Sequence, residues 1–149
     1  MQNNHHPAAQ MKILVVDDHA MFRRLLRNLL EPLPAEVIDC AEGSQALDLY
    51  RLHHPDWVLM DLEMEPMDGF EATAQILSHY PDARILIVTS HESEVFEASA
   101  RASGACGYML KDHVRSLPGI LRQGGRVNAS LPAHSQASRQ TSQPCCPPL

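Results

Sequence analysis

The chain has 149 residues, enough to bury one core and too few for two ordinary domains, so one domain with tails is expected. Acidic residues outnumber basic ones by 18 to 12, a net charge of -6, which lacks the positive field that drives direct DNA binding or adhesion to anionic membranes. No apolar run approaches the roughly 20 residues of a membrane span and the start is polar rather than signal-like, so a soluble, cytoplasmic protein is expected.

From Lys12 onward, short apolar runs alternate with longer amphipathic stretches, which predicts a parallel sheet with helices on both faces. The first strand is KILVV at 12–16; after Asp18, Met21, Leu25, Leu26, Leu29 and Leu30 recur at helical spacing and form one apolar face. The second strand, EVIDC at 36–40, is interrupted by acids and should lie at a sheet edge. Ser44 is the cap candidate for a second helix carrying Ala46, Leu47, Leu49, Tyr50 and Leu52. The third strand is WVLM at 57–60, followed by a helix marked by Phe70, Ala74, Ile76 and Leu77. RILIVT at 84–89 is the fourth strand, and its helix, carrying Val95, Phe96, Ala98 and Ala102, is alanine-rich and ends where Gly104 can supply a left-handed cap. The fifth strand is GYML at 107–110. A last helix at 114–123 contains Pro118 and is closed early by Gly124-Gly125, so it should be short and loosely docked.

Residues 1–10, and those past about Leu131, where Arg139 is the only fixed charge among Ser, Gln, Ala and Pro, carry too little apolar surface to offset ordering entropy and should be disordered. The four cysteines, Cys40, Cys106, Cys145 and Cys146, show no CxxC spacing and read as plain thiols. Cys146 occupies the place of a prenylated cysteine, but prolines come after it where aliphatics belong. The pairs His5/His6 and His53/His54 read as surface histidines, since adjacent residues on a helix point to different sides. There is no internal repeat and no GxxxxGK phosphate loop, so nucleotide binding has no support.

In an open parallel sheet, ligands bind beyond the carboxyl ends of the strands. The residues there are Asp17 and Asp18 after the first strand, Asp61 after the third, Thr89 and Ser90 at the end of the fourth, and Lys111 after the fifth. Singly, each has a plain reading: Asp18 as a helix cap, Asp61 in a turn, Thr89 as a strand end, Lys111 as solvated surface. Together, three crowded carboxylates repel one another unless a cation sits among them, and an all-oxygen site suits Mg2+ rather than zinc. Mg2+ and Lys111 would neutralise a transferring phosphoryl group, leaving one carboxylate free to attack phosphorus in line.

The segments KILVVDDH, VLMDLEMEPMDGFEA, IVTS and GYMLKD, in this order and at about this spacing, resemble the receiver domains of two-component response regulators. The resemblance spans roughly Met11 to Arg126 and leaves 127–149 as a tail. It implies a flavodoxin-like (β/α)5 fold of five parallel strands, and a phosphoacceptor rather than an enzyme: Asp61 would take a phosphoryl group from a sensor histidine kinase or histidine phosphotransfer protein. It also implies that Asp17, Asp18, Asp61 and the backbone carbonyl of Glu63 hold Mg2+, and that Lys111 pairs with the phosphoryl group. Thr89 would move toward the new phosphate oxygens and Tyr108 would swing in behind it; the plain reading of Tyr108 is a half-buried strand tyrosine.

The DDH start and GYMLKD are most similar to receivers that precede a helix-turn-helix output domain. Beyond Lys111, the segment GGRVNASLP and then the tail have neither the length nor the periodicity of a DNA-reading helix pair, so the expectation is a stand-alone receiver or one whose output part was lost, acting on a downstream protein. Homodimerisation through the fourth helix, fifth strand and fifth helix is common in such receivers, and Pro118 weakens that expectation here. The run Met64-Glu65-Pro66-Met67-Asp68-Gly69 places its proline one residue late, Glu63 adds a negative charge at the mouth of the site, and Ser90 stands where alanine is common. Two alternatives stay open: a receiver-like interaction module without phosphorylation, and an aspartate-nucleophile phosphatase of the haloacid dehalogenase type. The latter places its acid pair late in the chain, whereas here the pair comes first.

Overall fold

The computed structural model of the chain describes residues 10–123. In chain order it runs β1 (Met11–Val16), α1 (Ala20–Leu30), β2 (Ala35–Cys40), α2 (Gly43–His53), β3 (Trp57–Asp61), α3 (Gly69–His79), β4 (Ile85–Thr89), α4 (Glu94–Ala102), β5 (Gly107–Leu110), a 3-10 segment (Lys111–Ser116) and α5 (Leu117–Arg122). The strands are all parallel, in the order β2-β1-β3-β4-β5, so the acid-interrupted β2 lies at an edge as its sequence requires. The expected terminal extensions, with His5, His6, Cys145, Cys146 and Gly124-Gly125, fall outside the described residues, residue 10 excepted.

Alternation along the strands divides the core into two layers. Leu14, Val16, Val58, Met60, Ile85 and Ile87 face Ala46, Tyr50, Ala72, Ile76 and Ala100 of α2, α3 and α4. Ile13, Val15, Trp57, Leu59, Leu86 and Val88 face Leu26 and Leu30 of α1 and Val114, Leu117 and Leu121 of the C-terminal segment. Burial on both sides is why these strands read as unbroken apolar runs.

Helix faces depart from the sequence expectation. On α1 the docked stripe is Leu26 and Leu30, with Phe22 and Leu29 half-buried, while Met21 and Leu25 are 77% and 50% exposed. The apolar face is wider than the strip that one sheet layer can cover. In α2, Leu52 is exposed, and the cap is Glu42 rather than Ser44, because the helix already begins at Gly43, whose bare backbone packs where a Cβ would meet the Met67 carbonyl at 2.8 Å. In α3, Ala72, Thr73 and Ile76 are buried and Ala74 is exposed. In α4 the buried residue is Ala100; Val95, Phe96, Ala98 and Ala102 all lie on the exposed side, since the helix docks through its smallest side chain. Gly104 has φ +90 and ends this helix in the left-handed conformation expected of it.

At the C-terminal end, Pro118 does not interrupt a helix. The chain takes a 3-10 segment first, and α5 starts at Leu117, placing Pro118 in the first turn, where its missing N–H is harmless. Val114, Leu117 and Leu121 are buried, so the segment is docked rather than loose. Cys40 and Cys106 form no disulfide with each other, and the Cys40 thiol donates to the Glu42 carbonyl. No helix among the described residues is long and apolar enough to cross a membrane.

Candidate functional site

The strand order reverses direction between β1 and β3, and the crevice this opens at their carboxyl ends is the place where sheets of this kind hold ligands. Asp17 comes directly after β1, Asp61 is the last residue of β3, Thr89 the last of β4, and Lys111 the first after β5. Lys111 Nζ lies 2.7 Å from Asp17 Oδ2 and 3.4 Å from Asp61 Oδ1, and also 4.4 Å from the centre of the Phe22 ring, which gives the ammonium a cation–π contact on its apolar side. Asp18 is half-exposed above them and caps nothing: the cap position of α1 is His19, which makes no side-chain cap bond.

Local backbone contacts hold these groups. The His19 N–H donates to Asp17 Oδ1 at 2.8 Å, and the Arg23 guanidinium donates to the Asp17 carbonyl at 2.6 Å. After Asp61 the loop is pinned by buried Leu62 and Met64 and passes through a cis Glu65-Pro66 bond. It closes where the Gly69 N–H donates to the Leu62 carbonyl; a Cβ on Gly69 would stand 2.0 Å from the Asp61 carbonyl oxygen, so only glycine fits. Asp68 and Glu71 form a reciprocal capping box that starts α3 at that point.

Asp61 is 1% exposed and its carboxylate oxygens have no close hydrogen-bond partner; the Glu63 backbone N–H and the Lys111 ammonium, 3.4 Å from Oδ1, are the groups that favour its charge, and Asp17 Oδ2 has its ion-pair contact with Lys111. Burial pushes Asp61 up to about 6, the Asp17 charge pushes the same way, and Lys111 opposes both. Oxygens so placed, buried and unsatisfied, fit a hard divalent cation, and the ligand atoms of Asp17, Asp18, His19 and Asp61 all lie within 4.8 Å of one another. Beside the three carboxylates of the expected site, the His19 imidazole nitrogen is part of the same cluster of potential ligand atoms.

Around the mouth, one histidine links three of the expected residues. The His91 N–H donates to Thr89 Oγ1 at 3.3 Å, the His91 carbonyl accepts from the Tyr108 hydroxyl, and His91 Nδ1 lies 2.8 Å from Glu63 Oε1. Tyr108 is half-buried, and that burial raises its pKa. The Glu63 charge expected at the mouth is thus engaged by His91, while Ser90 is exposed. Sequence reasoning missed His19, Arg23 and His91. The signal for the first was its place directly after the acid pair, and for the last its place two residues after Thr89.

A family model described as the response regulator receiver domain matches residues 13–118. The chain is 34% identical over 105 residues to the transcriptional regulatory protein DegU of Brevibacillus brevis, covering 69% of this chain and 44% of that one. It spans about half the length of the curated relatives it matches. Among solved structures, the chemotaxis protein CheY4 of Vibrio cholerae is similar with a TM-score of 0.71 at 29% identity, covering 77% of this chain and 98% of that one. A response regulator protein from Burkholderia pseudomallei, solved with a phosphorylated aspartic acid, a calcium ion and citrate, is similar with a TM-score of 0.68 at 26% identity, covering 74% and 65%.

Proposed function

The chain belongs to the family of response regulator receiver domains, and from that premise we propose that it is an aspartyl-phosphorylation switch whose phosphoacceptor is Asp61. The observation that carries this reading is the Asp61 carboxylate itself, buried at the end of β3, clustered with Asp17 and Asp18 and 3.4 Å from the Lys111 ammonium. A similar solved structure that contains a phosphorylated aspartic acid and a calcium ion supports it.

In the proposed reaction an Asp61 oxygen attacks the phosphorus of a phosphohistidine on a sensor kinase or phosphotransfer protein. The new P–O bond forms as the P–N bond breaks, and the histidine leaves as imidazole, taking up a proton. Lys111 balances the charge that builds on the phosphoryl oxygens, and Thr89 offers its hydroxyl to them once its bond from the His91 N–H is given up. Tyr108 would then leave the His91 carbonyl and turn inward, remodelling the surface that a downstream protein or a second copy of the chain reads. Asp17, Asp18, Asp61 and the Glu63 carbonyl would hold Mg2+. When bound, that ion neutralises the crowded carboxylates and the phosphoryl oxygens. On this reading the protein is a cytoplasmic phosphoacceptor that assists its own phosphorylation and dephosphorylation, rather than an enzyme acting on other substrates, and residues 10–123 do not contact DNA.

Incubation with Mg2+ and a small acyl phosphate, read by intact mass, tests the reading. A single phosphoryl adduct that needs Mg2+ and is lost in Asp61→Asn is expected. Absence of an adduct together with absence of Mg2+ binding would return the chain to the interaction-module alternative.

A further inference from the structure

We propose that His19 is a nitrogen ligand of the divalent-cation site, so that this chain prefers transition ions such as Mn2+ and Co2+ to Mg2+ by more than an all-oxygen site would. The inference rests on the proposed metal site and adds to it a ligand and a class of ion. His19 Nδ1 lies 2.7 Å from Asp18 Oδ1 and 3.4 Å from Asp17 Oδ1. The four ligand atoms of Asp17, Asp18, His19 and Asp61 lie within 4.8 Å of one another. Metal–ligand bonds of about 2.1 Å place opposed ligands about 4.2 Å apart, so a small rotation of the two exposed side chains closes the set around one ion.

Two further features favour a ligand over a chance surface ion pair. First, the cluster holds three carboxylates, two of them buried, against the single ammonium of Lys111 on the Asp17 Oδ2 and Asp61 Oδ1 side, and His19 stands on the other side, by Asp17 Oδ1 and Asp18. Second, His19 makes no side-chain cap bond at the cap position of α1 and is 68% exposed, and the ring contacts given for it are with Asp18 and Asp17 of the cluster itself. Imidazole suits first-row transition ions, whereas Mg2+ keeps to oxygen and gives up its waters reluctantly.

Calorimetric titration of the full chain with Mg2+, Mn2+ and Co2+ at one fixed pH, beside His19→Ala and Asp61→Asn, tests this. The His19→Ala variant keeps the backbone N–H that donates to Asp17, so the loop survives the change. Its Co2+ affinity is expected to fall roughly tenfold or more while its Mg2+ affinity changes less than about twofold. Nitrogen hyperfine coupling to bound Mn2+ should be present in the wild type and absent in the variant. Equal Co2+ affinities and unchanged spectra in His19→Ala overturn the inference while leaving the Mg2+ site standing. Co2+ binding that persists unchanged in Asp61→Asn places the ion at other histidines and also overturns it. If Mg2+ fails to bind but Co2+ binds in a His19-dependent way, His19 stands as a ligand and the Mg2+ reading falls; if no ion binds, both fall.

Discussion

Lys111 stands closer to Asp17, at 2.7 Å, than to Asp61, at 3.4 Å, so the one ammonium is shared between two buried carboxylates, with Asp17 its nearer partner. Removing the lysine leaves two buried carboxylates facing each other without a cation. Lys111→Met is expected to cost about 3 kcal/mol of stability at about pH 7.5 and clearly less at about pH 5, where Asp61 is largely protonated. Denaturant unfolding at the two pH values checks this, and equal losses would contradict it.

Because burial raises Asp61 from 3.8 to about 6, the fold favours the protonated carboxyl. Its stabilising effect is complete below the unfolded value, declines as pH rises through about 6, and is gone above that. In metal-free buffer, Asp61→Asn is therefore expected to be more stable than the wild type at about pH 7.5, by up to about 3 kcal/mol, and no more stable at about pH 3. A destabilised variant at neutral pH would show that the carboxylate is satisfied by partners other than Lys111.

Glu63 reaches His91 across the mouth of the site, and the same histidine holds Thr89 and Tyr108. Glu63→Ala removes that tie without touching Asp61, so labelling by acyl phosphate should persist while the decay rate of the adduct changes. Intact-mass time courses give both quantities. An unchanged decay rate would mean that the Glu63 charge does not govern hydrolysis of the adduct.

Gly69→Ala would bring a Cβ to 2.0 Å from the Asp61 carbonyl, a backbone clash that no rotamer relieves. A loss of about 3 kcal/mol or more is expected, with reduced phosphoryl labelling because the Asp61 backbone must shift. Gly119→Ala is a fitting control, since nothing lies within 4 Å of its added carbon. Thermal melts of both variants decide the matter.

The corrected face of α1 has a direct test. Leu26→Ala should cost about 2–5 kcal/mol, whereas Met21→Ala should stay within about 0.5 kcal/mol, as the burial of one and the 77% exposure of the other require. Comparable losses would restore the broader apolar face inferred from spacing.

Strands were legible because burial on both faces writes itself as runs such as ILVV and ILIV, and the acids in β2 marked the edge. The strand-end cluster was legible because a parallel sheet exposes the residues just past its strand ends, so the places of Asp17, Asp61, Thr89 and Lys111 could be read from position alone. Helix faces were less so. Periodicity shows which side chains are apolar, not how many of them a sheet layer can cover, and Met21, Leu52 and Val95 were left outside.

The alternating layer order, the edge strand and the identity of the groups at the strand ends were determined by the sequence itself, since each comes from local pattern and chain order. Tertiary structure alone decided that Asp61 is buried while Lys111 leans on Asp17, that His19 joins the acids, and that His91 ties Glu63 to Thr89 and Tyr108. The reason is physical: charge, burial and hydrogen bonding at a site depend on distances between segments far apart in the chain, and those distances exist only once the strands are registered side by side.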